Sequence, residues 1–328
     1  VPVLVDRRSE PPARVWSVKY TRMFDMTNDS GLFRSRPALE EEGFYPVEGN
    51  RWRRGSEEYV PLYVGKMVNQ FDHRAASVDV NTENLHNPAL SNSVSEGEHQ
   101  DPDFVPIPQF WVPKSEIEWE APTGWAIAFR DIARTTDIRT VIASIVPFCG
   151  LGNKLPLIFP NSSSDPSYKR WAPLLLANLN SFVLDFVARQ KVHSTNLNWY
   201  IVEQLPFLPE KAYATTFGDK TAEELIHEEV LALTFTAWDL ALFAQDLGYR
   251  GAPFIWDPED RRHRRARLDA LFFLLYGLDE TEAADILSTF PIVRQQDEQA
   301  FGRFRTEELI RGYMRAFQAG DTDVRLAM

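Results

Sequence analysis

The sequence predicts an α+β fold, with a mixed-sheet unit over residues 1–210 and a mostly α-helical region over 211–328. Two observations predict it. Apolar residues recur at a period near 2 in segments such as 125–129, and at a period of about 3.6 beyond Pro209. The 328 residues are 44% hydrophobic and 25% charged, an ordinary balance for a chain able to bury a large core.

In chain order, residues 47–54 read as a turn and strand, with Glu48, Gly49 and Asn50 leading to Trp52. A β-prone run over 59–67 follows, interrupted by Pro61 and Gly65. Residues 76–108 read as a long acidic loop rich in Asn and Ser, part of an acidic stretch near 76–123. Trp125, Ile127 and Phe129 alternate with Ala126 and Ala128, the pattern of a half-buried strand. Residues 141–146 are nearly all apolar and β-branched and read as a central strand. A third strand is expected at 155–159, one helix over 174–190, and a returning strand at 199–204. Asn180 falls on the apolar side of that helix and reads as a buried amide with backbone partners.

Beyond residue 211 the signals are helical. Thr221 and Glu224 form a capping box opening a helix that should end near Gly248. Asp257-Pro258 opens an arginine-rich helix that stops at Gly277. Further helices are expected over 281–290 and 306–317.

The net charge of −12 alone argues against a nucleic-acid partner, but the acids are unevenly placed. Residues 1–75 hold 12 Lys and Arg against 11 Asp and Glu, and residues 124–210 hold eight against six. Residues 76–123 hold one against nine, and 211–328 hold 14 against 21. Two nearly neutral segments thus permit a phosphate-binding face. No run of 18 apolar residues predicts a membrane helix, and the first twenty residues do not read as a signal peptide. Cys149 is the single cysteine, so an internal disulfide framework is excluded and a cytoplasmic setting is expected.

Catalytic signatures are absent: there is no glycine-rich phosphate loop after a strand, no G-x-S-x-G and no H-E-x-x-H. The six histidines show no helical metal-site pair, so no catalytic, cofactor-binding or metal-binding residue is assigned. An amino-methyltransferase slot for a flipped base is normally announced by Asn/Asp-Pro-Pro-aromatic. Asn87-Pro88-Ala89 and Pro11-Pro12-Ala13 do not supply one.

Three polar strings remain. Pro61 to Arg74 interleaves aromatics with Lys66, Gln70, His73 and Arg74, residue types suited to phosphates and base edges. The bland alternative is a turn carrying solvated charges. Arg130 to Thr140 holds Arg130, Arg134 and Arg139 among threonines, with Asp131 and Asp137 as alternative internal partners. The third runs from Arg189 and Lys191 through Asn196 and Asn198, where the competing role of the cations is helix capping.

The ordered set of strings resembles a known group. Phe24 to Ser30 with Leu32-Phe33-Arg34, the 63–74 string, 130–140 and 176–206 occur in this order there. So do Leu268 to Gly277, Thr289 to Arg294, Asp297-Glu298 and Phe301-Gly302. The group is the C-terminal half of Type IIG-like adenine-specific restriction-modification and phage-defence DNA methylases, a TaqI-like target-recognition (specificity) domain plus a helical tail. The resemblance covers nearly the whole chain and implies sequence-specific binding of double-stranded DNA. It implies a methylase domain or subunit as partner, with S-adenosylmethionine held there and no cofactor here. On this reading the chain is an excised fragment or a separate specificity polypeptide that neither binds the methyl donor nor methylates DNA by itself.

The DNA-contact candidates are Arg34, Arg36, Lys66, Gln70, His73, Arg74, Arg130, Arg134, Arg139, Arg189, Lys191, Asn196 and Asn198. A protein-interaction scaffold of a defence complex, docking through the acidic helical tail, is the alternative. A nuclease with an unrecognised carboxylate site is the third reading.

Overall fold

The computed structural model describes residues 1–78, 91–134, 137–193 and 195–327. Residues 79–90 of the expected acidic loop, Thr135, Thr136 and Ser194 lie outside the described residues.

The fold is α+β. An antiparallel sheet runs in the order Ala143–Pro147, Trp125–Phe129, Leu157–Pro160, Val18–Thr21, with Ile127 opposite both Ile145 and Ile158. The 125–129 strand is buried on both faces, not one. Trp125, Ile127 and Phe129 pack with the helices, and Ala126 and Ala128 pack with Tyr63, Met67 and Leu151. The alternation of large and small therefore separates two packed layers instead of core from solvent.

The second sheet is mixed. It runs Gly150–Leu151, Glu57–Tyr63, Arg51–Arg54, Tyr45–Val47, and Trp111–Pro113 also pairs with Glu57–Tyr63. Gly150–Leu151 lies parallel to Leu62 and Tyr63, and the other pairings are antiparallel. Within the expected loop, Ala76–Val78 pairs with Ser91–Ser93, and Glu96–Gln100 is a helix opened by a Ser95–Glu98 capping box.

Three expectations change. The apolar run at 141–146 gives the strand Ala143–Pro147, which is buried but stands at the sheet's end. The 174–190 helix is two helices, Tyr168–Asn180 and Phe182–Lys191, bent by 61°. Ser181 makes the break: its extended backbone ends the first helix, and its hydroxyl accepts the Leu184 N–H of the second. Residues 199–202 form a short helix, Trp199–Val202, where a strand was expected. Its aromatic residues are β-prone, but Asn198 O accepts the N–H of both Ile201 and Val202.

The capping box at Thr221 and Glu224 forms as expected, but its helix, Ala222–Thr234, ends early. The chain continues as a 3₁₀ turn, Trp238–Leu240, and the helix Ala241–Asp246 before Gly248. Asp257 caps Pro258–Leu275 through the Glu259 and Asp260 N–H groups. Glu280–Ser288 and Arg305–Gln318 match expected helices, and Pro291–Phe301 is an additional one. Among the described residues, no strand follows Thr221.

One continuous apolar cluster extends from Leu4 through the sheet and the 168–191 helices to Phe317. The apolar period changes near Pro209, yet the core runs across that point. Among the described residues, no single helix is long and apolar enough to cross a membrane. The bent pair 168–191 meets such a test by length and composition, but Leu174, Leu175, Leu176 and Leu179 are buried inside the core.

Candidate nucleic-acid interface

The three polar strings converge. Arg130 N–H donates to Ile142 O at 2.9 Å, and its Nε donates to Val68 O at 2.7 Å, joining the second string to the first. Leu197 N–H donates to Asp131 O at 2.7 Å and Ala133 N–H to Thr195 O at 3.0 Å, joining the second string to the third. Beneath them the Asp131 carboxylate is fully buried. Its Oδ2 lies 2.9 Å from Lys154 Nζ, 3.0 Å from Asn196 Nδ2 and 3.6 Å from Arg22. Its Oδ1 is buried without a hydrogen-bond partner.

This carboxylate anchors cations whose other surfaces face water. Lys154 and Arg22 are each about half exposed, and Lys66 and Arg134 are exposed, as are Thr195 and His193. Arg22 lies over the Tyr20 ring, which stacks on Trp199 at 5.2 Å, so the rim stands on a packed aromatic base. Ile132 projects among them at 52% exposure. Burial lowers the Arg130 pKa from its ordinary value, and Asp137 and Asp72 oppose that shift. Arg22 and Lys154 belong to no candidate string. Lys154 follows the turn-like Gly152-Asn153, but no sequence signal marks Arg22 as its neighbour.

Several candidates turn inward, and their assignment to a DNA face is corrected. Gln70 donates to Val141 O at 2.9 Å and Asn180 O at 3.2 Å. His73 is 1% exposed and lies 2.8 Å from Asp239 Oδ2. Arg74 is fully buried, and its guanidinium donates to the carbonyls of Asp101, Phe104, His99 and Thr236. A guanidinium ringed by carbonyl oxygens is satisfied without solvent, so the residue type alone does not place it outside.

Arg139 and Arg189 share the buried Asp185 at 2.7 and 3.4 Å and lie over the rings of Phe182 and Phe290 at 3.9 and 4.2 Å. Their role as placed is to clamp the 137–140 turn onto the Phe182–Lys191 helix. Asp131 draws its ion pairs from Lys154 and Arg22 in place of Arg130, and Asp137 meets Arg134 through the backbone N–H and not the guanidinium.

The remaining candidates are dispersed. Arg34 pairs with Glu42 and the Gly31 and Phe33 carbonyls, and Arg36 pairs with Glu40 near Trp52. Lys191 is half-buried in the last turn of its helix, and Asn198 stands at the N-cap position of the 199–202 helix without a side-chain capping bond. Asn153 Nδ2 donates to Asp25 at 2.8 Å, tying the Phe24–Ser30 string to the loop carrying Lys154. Among the described residues, no group of three His, Cys, Asp or Glu side chains is arranged to hold a metal ion. Comparison with protein-family models returns no match, and comparison with curated proteins returns none.

Proposed function

We propose that this chain is a sequence-specific double-stranded DNA recognition module of an adenine-N6 DNA methyltransferase, acting in restriction-modification or phage defence in the cytoplasm. The observation that carries the reading is the meeting of three separated polar strings in one exposed cationic rim around Asp131. Exposed Arg and Lys on loops joined to the sheet suit phosphate contact, and the exposed Thr195 hydroxyl oxygen, whose proton goes to Asn196 Oδ1, suits a base-edge donor. These residues carry no Asn/Asp-Pro-Pro-aromatic slot for a flipped base, so methylation and its donor, S-adenosylmethionine, are assigned to a partner methylase domain or subunit.

Titration of duplex DNA at several salt concentrations tests the proposal. Wild type should show a steep log–log decline of affinity with salt. Arg134→Ala should reduce the slope by about one unit on every sequence and leave the melting temperature unchanged. Arg22→Ala and Lys154→Ala should reduce the slope and also destabilise, because each leaves the buried Asp131 carboxylate with one cation fewer. Weak, salt-insensitive binding by wild type would remove the DNA reading and favour the scaffold.

A further inference from the structure

A cleft away from the Asp131 rim has the chemistry of a second site. Two adjoining cavities, of about 240 and 160 Å³, share Gln70, Arg262 and Arg265 as walls. Arg262 and Arg265 lie three residues apart on the Pro258–Leu275 helix and so share one face of it. Arg139 stands in the opposite wall of the larger cavity.

The donors in these walls divide into used and unused. Gln70 Nε2 and the Arg139 guanidinium are committed to Val141, Asn180 and Asp185. Arg262 pairs with Asp297 at 3.3 Å, and its buried Nε, which makes no hydrogen bond, lies 3.7 Å from Glu259 Oε2. Arg265 has no ion pair and no hydrogen bond among the described residues. It is open to solvent, yet crowded enough that burial, and then Arg262 and Arg139, lower its pKa. Asp269 and Asp72 oppose that shift without reversing it, which leaves Arg265 a cation at the mouth of the cleft.

The acids nearby do not cancel it. Asp297 is taken by Arg262 and the Thr306 N–H, Asp269 accepts the Phe182 N–H at 2.8 Å, Asp72 is held by the Arg74 N–H and His99, and Glu259 is shared by Arg305, His263 and Arg262.

We infer that this cleft binds a phosphate group through the Arg265 guanidinium, with Arg262 and Arg139 as flanking positive charge. An arginine fork without a protein partner matches a tetrahedral oxyanion bidentately. The larger cavity is below the roughly 300–1,000 Å³ of sites for drug-sized ligands. The cleft therefore takes the phosphate group alone, as inorganic phosphate, as the phosphate of a small molecule whose remainder stays outside, or as a single phosphate of a nucleic-acid backbone entering from the mouth. The site is independent of the DNA reading of the Asp131 rim.

Calorimetric titration of the full chain with inorganic phosphate and with nucleoside monophosphates tests it, using wild type, Arg265→Ala and Arg265→Lys. Wild type should bind one of these probes saturably at a single site. Arg265→Ala should weaken binding at least about tenfold with an unchanged melting temperature, and Arg265→Lys should fall between. A free ligand is the source if duplex DNA affinity is then the same in wild type and Arg265→Ala. A nucleic-acid phosphate is the source if phosphate competes with duplex and Arg265→Ala abolishes that competition. Absence of saturable binding to wild type, or equal binding to wild type and Arg265→Ala, overturns the inference. Arg134→Ala run in parallel reports separately on the Asp131 rim.

Discussion

Asp269 shows how far a residue's setting departs from its type. It sits on the Pro258–Leu275 helix, with Oδ1 accepting the Phe182 N–H at 2.8 Å across to the neighbouring helix. Burial raises its carboxyl pKa to about 6, against the opposing influence of Arg139 and that N–H. A folded value above the unfolded one near 3.8 means that folding favours the protonated form. Its stabilising contribution is complete below about pH 4, fades as pH rises to about 6, and is absent above. Asp269→Asn keeps an acceptor for Phe182 and removes the titration. Urea unfolding should show the variant more stable than wild type by roughly 1–3 kcal/mol at pH 7.5, with little difference at pH 4. Equal stability at both values would show that the carboxyl is not strained by burial.

Arg74, His73 and Gln70 carry the same lesson in reverse. Their residue types are those of a DNA-contacting string, and side-chain chemistry is all a linear reading offers. Whether the Arg74 fork meets phosphates or carbonyls depends on Asp101, Phe104 and Thr236, which lie 27, 30 and 162 residues away in the chain.

Strand edges and helix breaks belong to the next scale. The Ala143–Pro147 strand ends its sheet, and an open edge inside a core would leave backbone groups unpaired. Asn180 closes it by imitating a neighbouring strand: Ala143 N–H donates to Asn180 Oδ1 at 3.0 Å, and Asn180 Nδ2 donates to Ala143 O at 2.9 Å. The position of Asn180 on the apolar side of its helix already marked it as a buried amide with backbone partners. Which backbone it meets, and that it seals an edge, required the fold. Asn180→Ala leaves the Ala143 N–H buried without an acceptor, while Ala143 O keeps the Phe71 N–H at 3.1 Å. A loss of about 1–3 kcal/mol is expected in urea denaturation. An unchanged midpoint would mean that the edge is satisfied in another way.

The break at Ser181 was legible only in hindsight. Apolar spacing continues through 175–186, so periodicity gives one helix. The turn at Ser181 lets Phe182–Lys191 pack on Glu280–Ser288 and place Phe182 edge-on to Phe290. Local caps were more readable, because Thr221 with Glu224 and Asp257 with Pro258 act on groups within three residues.

At the scale of the whole molecule, the sheet unit and the helical region share one core. The Tyr168–Asn180 helix packs on Ala222–Thr234, and both belong to the apolar cluster that runs from Leu4 to Phe317. A fragment of residues 1–210 would expose that face. It should lack a cooperative thermal transition by calorimetry and show poor amide dispersion by NMR. A sharp two-state transition of the fragment would show that residue 210 is a true domain boundary.

The sequence by itself determined the α+β class, the places of the strands near 51–54, 57–63, 125–129, 143–147 and 157–160, the helices opening at Ala222, Pro258, Glu280 and Arg305, the caps at Thr221 and Asp257, and the three polar strings. Each of these depends on residues close together in the chain, where period, turn chemistry and capping act. Tertiary structure alone decided which candidate cations face water. It buried Arg74, bound Arg139 and Arg189 to Asp185, and brought Arg22 and Lys154 to Asp131 across 109 and 23 residues. A charge is placed by the partners available to satisfy it, and those partners are neighbours only after folding.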